Sequence, residues 1–332
     1  MPRTCYLHIG THKTGTTSLQ ALLAANRELL ASTGIYVPRV GCPSPVSGHH
    51  NIAWELHADS RFDPRHGTLA QLLDELVSVR APIVCISSED FEYLHYRPDQ
   101  LRPLAARLRA AGYDVKVVVF LRPQADYVES LYGTLAHFGL IVRFSEFLDA
   151  VLRDGVLLFR GWSFRFEYSV LLNAFAEVFG HDMVIVRPYR SGWPSDVLPR
   201  DFIRVVSAGS AGVHFEDLVK VGRLNPSPTV GAVVAMLRAN VAAERGRVPA
   251  TAALLDGRET ELKPDNGDDR YHPLALSDSL RLIRRFWPDN RRVRAQYGLR
   301  LPCAEFRDVL DDVVSFLRID TRAAGVVRKL WR

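Results

Sequence analysis

The sequence predicts an α/β protein, a parallel sheet flanked by helices, and three observations carry that prediction. Apolar runs such as Cys5-Tyr6-Leu7-His8-Ile9, Pro82–Ile86 and Val115–Leu121 have the length of buried strands and are set off by polar, Gly or Pro residues. Segments with apolar residues at helical spacing separate them. The two alternate through the chain as far as Arg190, and consecutive parallel strands need such crossovers. With 332 residues, 47% of them hydrophobic, the chain can bury a sizeable core. It is expected to form one domain over 1–332, with an α/β core in 1–190 and a largely helical extension in 191–332.

The elements follow in order. Cys5–Ile9 is a strand, and Leu19, Leu22 and Leu23 open a helix that stops before Gly34. Ile35–Pro38 reads as a short strand, and Gly41–Gly48 as a Pro, Ser and Gly loop leading to His49-His50-Asn51 and the amphipathic Ile52, Ala53 and Leu56. Ala70–Val79 is helical by period; Pro82–Glu89 is a strand that ends in Ser87-Ser88-Glu89. A helix over Leu101–Ala110 precedes the strand Val115–Leu121. Arg122-Pro123 then starts the helix Gln124–His137, with Pro in its first turn. Beyond Gly139 the pattern is mainly helical: Phe144–Leu152 and Phe166–Phe179, a strand Met183–Val186 ending in Arg187-Pro188-Tyr189, then helices at Asp201–Val206, Thr229–Ala243, Leu274–Phe286 and Ala304–Leu317. The polar stretch Leu255–His272 reads as a loop.

The stretch Thr4–Gln20 says most about chemistry. A strand runs into Gly10-Thr11-His12-Lys13-Thr14-Gly15-Thr16-Thr17-Ser18 and then into a helix. Such a loop points backbone N–H groups at one spot beside the positive end of a helix dipole, and so suits a phosphate or sulfate group. Lys13 adds a mobile charge; Thr14, Thr16, Thr17 and Ser18 add hydroxyl donors. Gly10 and Gly15 have the spacing of the G-x-x-x-x-G-K-[ST] loop, but Thr16 stands in the lysine's place and Lys13 lies inside the loop. Lys13, Lys116, Lys220, Lys263 and Lys329 are the only lysines among 42 Lys and Arg residues, which favours a specific task for Lys13.

Composition narrows the class. A net charge of +5 suits an anionic ligand, but no basic patch interleaved with aromatics singles out nucleic acid. The four cysteines, Cys5, Cys42, Cys85 and Cys303, form no C-x-x-C pair, as expected of a reduced, cytoplasmic protein. The N-terminus reaches a strand at once and no apolar run has membrane-span length, so the expected place is inside the cell, with contact to the inner membrane surface open to the basic end Arg328-Lys329-Leu330-Trp331-Arg332. The paired His49 and His50 lack the partner spacing of a metal site, and no metal is expected.

Ligands of open parallel sheets gather at the carboxyl ends of strands. Ser87, Ser88 and Glu89 fall at that edge, and so does Arg122; Ser130 follows two helical turns on. Glu89 has three possible roles there: general base, acceptor of a substrate hydroxyl, or helix cap.

With Lys13 and the Arg122…Ser130 spacing in hand, the chain resembles the sulfotransferases that use 3′-phosphoadenosine-5′-phosphosulfate (PAPS). His12-Lys13-Thr14-Gly15-Thr16-Thr17-Ser18 is similar to that family's K-x-G-T-[ST] loop, which holds the 5′-phosphosulfate. Arg122 and Ser130 match the Arg and Ser, eight residues apart, that hold the 3′-phosphate. His50-Asn51-Ile52-Ala53, Ser87-Ser88-Glu89, Arg187-Pro188-Tyr189 and Pro288-Asp289-Asn290 resemble bacterial members, several of which act on carbohydrates. The R-K-G-x-x-G motif of the cytosolic, small-molecule members is not visible.

The resemblance implies a P-loop-like sulfotransferase fold with PAPS as co-substrate and adenosine 3′,5′-bisphosphate as product. The expected acceptor is a hydroxyl on a carbohydrate or glycolipid. Lys13 would serve the leaving phosphate, and Glu89 or His50, with His12 third, would be the base. The loops Gly41–Asn51, Phe138–Phe144 and Leu255–His272 would shape the acceptor pocket. Two other readings stand beside it: a P-loop kinase or NTPase of unusual loop sequence, and a nucleotide-binding protein that has lost activity.

Overall fold

The computed structural model describes residues 3–190, 192–207, 213–222, 228–244 and 273–301. The expected helix Ala304–Leu317, the loop Leu255–His272, Cys303 and the basic end Arg328–Arg332 lie outside the described residues. Strands β1 (Arg3–His8), β2 (Ile35–Tyr36), β3 (Ile83–Ser87), β4 (Tyr113–Leu121) and, late in the chain, Val184–Pro188 form one parallel sheet. Helices α1 (Thr16–Ala25), α2 (Arg27–Ser32), α3 (His50–His57), α4 (Leu69–Val79) and α5 (Pro98–Ala110) connect the first four strands, with 3₁₀ turns over Glu89–Tyr96 after β3. After β4 come α6 (Gln124–His137) and α7 (Phe144–Asp154). A hairpin of β5 (Val156–Phe159) and β6 (Trp162–Arg165) follows, then α8 (Tyr168–Phe179), β7 (Val184–Pro188), α9 (Val197–Val206), α10 (Val230–Glu244) and α11 (Leu276–Tyr297). The α/β architecture, a parallel sheet with helices around it, is the expected one.

The sheet order is β2-β3-β1-β4-β7, with Leu7 of β1 opposite Ile86 of β3 and Val117 of β4. The chain leaves β1 toward β2 on one side and leaves the adjacent β4 toward β7 on the other. Where outgoing connections part in this way a crevice opens at the strand ends, which is where open α/β sheets bind ligands. The loop after β1 and Arg122 after β4 therefore flank one crevice.

Both faces of the sheet are buried, as parallel sheets require. Cys5 and Leu7 of β1 and Val115, Val117 and Val119 of β4 pack under α4, α5 and α8. Tyr6, Cys85, Val118 and Phe120 point the other way, toward α1 and α9. A separate cluster gathers α6, α7, α10 and α11 around Tyr127, Tyr132, Phe147 and Phe286. Cys5, Cys42 and Cys85 are free thiols, and burial pushes Cys5 up to about 12. Among the described residues no helix is long and apolar enough to cross a membrane.

Two expectations need correction. The segment between the expected helices Phe144–Leu152 and Phe166–Phe179, in a stretch read as mainly helical, is a hairpin: Phe159 pairs with Trp162 across Arg160-Gly161, both at positive φ (49° and 84°), the geometry that joins two strands tightly. Strands of four residues carry too little alternation to reveal themselves beside helices. The last described helix, expected to stop at Phe286, runs to Tyr297 through Pro288. The side chains after that proline anchor it. Asp289 Oδ2 accepts from the Ser169 backbone at 3.2 Å and its other oxygen from the Ser169 hydroxyl, while Asn290 and Gln124 exchange two amide hydrogen bonds at 2.9 and 3.1 Å. Pro288-Asp289-Asn290 thus clamps α11 onto the first turns of α6 and α8, behind Arg122.

Candidate active site

A cavity of about 670 Å³ lies at the carboxyl ends of the strands. The loop after β1 forms one wall: His12, Lys13, Gly15, Thr16, Thr17 and Ser18 line it. Three loop residues take positive φ, Gly10 (75°), Lys13 (65°) and Gly15 (80°). A Cβ on Gly10 would lie 2.9 Å from the Glu89 Cα, and one on Gly15 would lie 2.7 Å from Leu198, so these glycines let the loop seat against its neighbours. Lys13 has no such excuse, since a left-handed non-glycine residue costs about 1–2 kcal/mol. It is held from both sides. The His12 backbone N–H before it donates to Glu92 Oε2 at 3.0 Å, and the Lys13 carbonyl accepts from Arg122 Nη1 at 3.0 Å. Thr14 Oγ1 closes the loop on the Thr11 carbonyl at 2.6 Å.

Arg122 lines the same cavity and is nearly buried. Desolvation lowers its pKa, and Asp126, with Oδ2 3.9 Å from Nε, offsets part of that. Its guanidinium lies 5.9 Å from the Tyr189 ring, and its carbonyl accepts from Tyr168 Oη at 2.6 Å. Ser130, two turns along α6, lines the cavity as well. The loop, Arg122 and Ser130, far apart in the chain, thus converge on one space. Of the loop hydroxyls, that of Thr14 faces the loop's own carbonyl and Thr14 does not line the cavity, whereas Thr16, Thr17 and Ser18 do.

Across the cavity sit the candidate bases. His50 opens α3, and its Nδ1 lies 3.2 Å from Asp90 Oδ2 and 3.0 Å from Ser88 Oγ. Its Nε2 is 4.0 Å from Glu89 Oε2. Burial pulls the His50 pKa down, but the Asp90 hydrogen bond with the charges of Glu89 and Asp90 outweighs it, and the net shift is upward. Asp90 is buried, which by itself would raise its pKa; His50, His12 and Arg61 overcome this and hold the carboxyl near 2. Trp54 Nε1 also donates to Asp90 Oδ2, at 2.8 Å. Glu89 Oε2 accepts from Gln20 Nε2 at 2.8 Å, and Ser88, not Glu89, caps the following turn by accepting from the Asp90 N–H.

Of the other histidines near the site, His12 and His49 have close partners of their own. His12 Nδ1 lies 2.9 Å from Glu92 Oε2 and its Nε2 3.1 Å from Tyr93 Oη, so both ring nitrogens have partners. Glu92 is fully buried. His49 is buried behind the cavity, with Nδ1 accepting from the Ser87 N–H at 3.1 Å and Nε2 donating to the Pro38 carbonyl at 3.2 Å. Burial lowers its pKa to about 4, and it pins the Gly41–Gly48 loop to β3. Among the described residues no group of three His, Cys, Asp or Glu side chains could hold a metal ion.

Asp90, Glu92, Trp54 and Arg61 escaped the sequence reasoning. The acidic run Glu89-Asp90-Phe91-Glu92 after a strand was the available signal, but its period does not tell which carboxylate faces a histidine.

No family model and no curated protein matches the chain. A solved structure, that of a sulfotransferase from Alicyclobacillus acidocaldarius, is similar over 92% of this chain and 99% of that one, with 19% sequence identity and a TM-score of 0.45.

Proposed function

We propose that the protein is a sulfotransferase that moves the sulfuryl group of PAPS to an acceptor hydroxyl, carried on a carbohydrate or glycolipid. The observation that supports this most is the convergence on one cavity of two anion-holding sets, the Lys13 loop and the Arg122…Ser130 pair, opposite a histidine backed by a carboxylate. A donor with phosphates at both its 5′ and 3′ positions matches two such sets; ATP has no group for the second.

The donor supplies an activated S–O bond. The acceptor oxygen forms a bond to sulfur as the bond from sulfur to the 5′-phosphate oxygen breaks, and the acceptor proton passes to His50 Nε2. Nδ1–H donates to Asp90, which leaves Nε2 as the basic nitrogen and stabilises the imidazolium that forms. Glu89, 4.0 Å from Nε2, adds to that stabilisation. Lys13, the backbone N–H groups at the start of α1 and the hydroxyls of Thr16, Thr17 and Ser18 meet the charge that grows on the leaving phosphate. Within this mechanism His50 is the base, and His12 orders the loop.

Calorimetry with adenosine 3′,5′-bisphosphate tests the donor: micromolar binding, lost in Lys13→Ala, is expected. Binding of Mg²⁺-ATP in its place would instead favour a P-loop kinase, and sulfate transfer from PAPS to any acceptor would eliminate an inactive protein.

A further inference from the structure

From the rim of the cavity to its reacting end runs an unbroken wall of aromatic rings. Phe138, 43% exposed, meets Trp162 edge-on with centroids 5.2 Å apart. Trp162 meets Phe164 at 6.4 Å, Phe164 meets Tyr93 at 6.0 Å, and Tyr93 stacks on His12 at 5.1 Å. All of these rings line the cavity. Phe138 and Phe164 carry no polar atom, and the Tyr93 hydroxyl lies 3.1 Å from His12 Nε2. The hairpin places Trp162 and Phe164 here, and the residue after α6 supplies Phe138.

The charged groups beside this wall are already paired. Arg61, whose guanidinium lies 4.7 Å from the Trp54 ring and 5.3 Å from the Trp162 ring, lines the cavity on this side, as do His12 and His50, each beside a carboxylate. It already faces two carboxylates, donating to Asp59 at 2.9 and 2.6 Å and lying 3.7 Å from Asp90. Glu89 stands next to them. A charged acceptor group would have to displace one of these pairs, a bare sugar would leave the outer apolar rings uncovered, and each mismatch costs affinity.

We infer that the acceptor is an uncharged alcohol with an apolar ring or chain beside its hydroxyl, the apolar body lying along Phe138 and Trp162, which the buried Phe164 backs, while the hydroxyl reaches His50. This rests on the sulfotransferase reading and narrows its acceptor to the amphipathic kind. It also explains why a hairpin separate from the main sheet stands at the cavity mouth: it supplies the acceptor's apolar seat.

Three probes differ in one feature at a time: 4-nitrophenyl β-glucoside, methyl β-glucoside and 4-nitrophenyl β-glucuronide. Their binding is measured calorimetrically on full-length protein saturated with adenosine 3′,5′-bisphosphate. The aryl glucoside is expected to bind about tenfold more tightly than the methyl glucoside, and the glucuronide about tenfold more weakly than the aryl glucoside. Phe138→Ala, at a half-exposed site, and Trp162→Leu should each bring the first ratio toward one and leave bisphosphate affinity unchanged. Equal binding of aryl and methyl glucosides, an undiminished ratio in both variants, or preference for the glucuronide would overturn the inference while bisphosphate binding upheld the donor site. Absence of bisphosphate binding would overturn the sulfotransferase reading, and this inference with it.

Discussion

Arg122 donates through Nη1 to the carbonyl of Lys13 at 3.0 Å, across 109 residues of sequence. One side chain therefore belongs to both proposed anion sites: it lines the cavity after β4 and braces the left-handed residue of the loop after β1. Removing it should harm more than a 3′-phosphate contact. Arg122→Ala is expected to weaken adenosine 3′,5′-bisphosphate about 100-fold, and also to weaken adenosine 5′-phosphosulfate, which has no 3′-phosphate, several-fold. Calorimetry with the two ligands separates the roles; unchanged affinity for the second would show that the brace is dispensable.

The pairing of His50 with Asp90 makes a statement about pH. A base must be neutral to act, and the pKa of His50 is raised, so the rate should climb with pH through a value above the ordinary histidine pKa. Asp90→Asn removes one of the two charges that raise it, the one hydrogen-bonded to the ring. The acid limb of kcat/KM should then move to lower pH while kcat falls by about 10²–10⁴. If the limb stays in place in Asp90→Asn and vanishes in a Glu89 variant, Glu89 is the base.

Acid should weaken the fold through His8 and His49. Burial lowers both to about 4 from 6.5, His8 lying edge-on to Phe120 and Phe202 with Nδ1 on Ser87 Oγ at 2.8 Å. The unfolded chain takes up these protons near pH 6.5 and the folded chain does not until about pH 4. Stability is thus full above pH 6.5 and falls as pH drops through that window, by up to about 3 kcal/mol for each histidine. Urea denaturation from pH 7 to 4.5 should show this slope, and His8→Leu should be shallower by one proton.

The reciprocal amide pair of Gln124 and Asn290 joins α11 to the turn that carries Arg122. Both side chains are buried, so Asn290→Ala should cost about 1–3 kcal/mol by leaving its partner unsatisfied. The double variant with Gln124→Ala should cost less than the sum of the singles. Strict additivity in chemical denaturation would mean that the pair does not act as a unit.

Much of this was legible along the chain. The strand, Gly10–Gly15 loop and helix follow one another in sequence, and their geometry depends on local turns, so Thr4–Gln20 could be read directly. Gln124–His137 was read to the residue because Pro123 and Gly139 punctuate it. The β5–β6 hairpin was not, because four-residue strands leave a weak period and Arg160-Gly161 is not a common hairpin dipeptide. Of the acids after β3, Glu89 stands at the strand end and lies 4.0 Å from His50 Nε2, while Asp90, one position on, meets Nδ1, a contact set by the turn and by no period in the sequence.

The sequence by itself determined the fold class and the residue types of each part: a glycine-bounded loop with a lysine inside it, an arginine at a strand end, histidines and acids nearby. Only the tertiary structure decided which parts meet. The strand order places β1 between β3 and β4, and that order alone brings the Lys13 loop beside Arg122 on one side and beside the acidic turns after β3 on the other. Local propensity acts over a few residues, while packing both faces of a sheet acts across the whole chain. For that reason the loop was plain from its residues, and the brace on Lys13, the Asp90 partner of His50 and the aromatic wall were not.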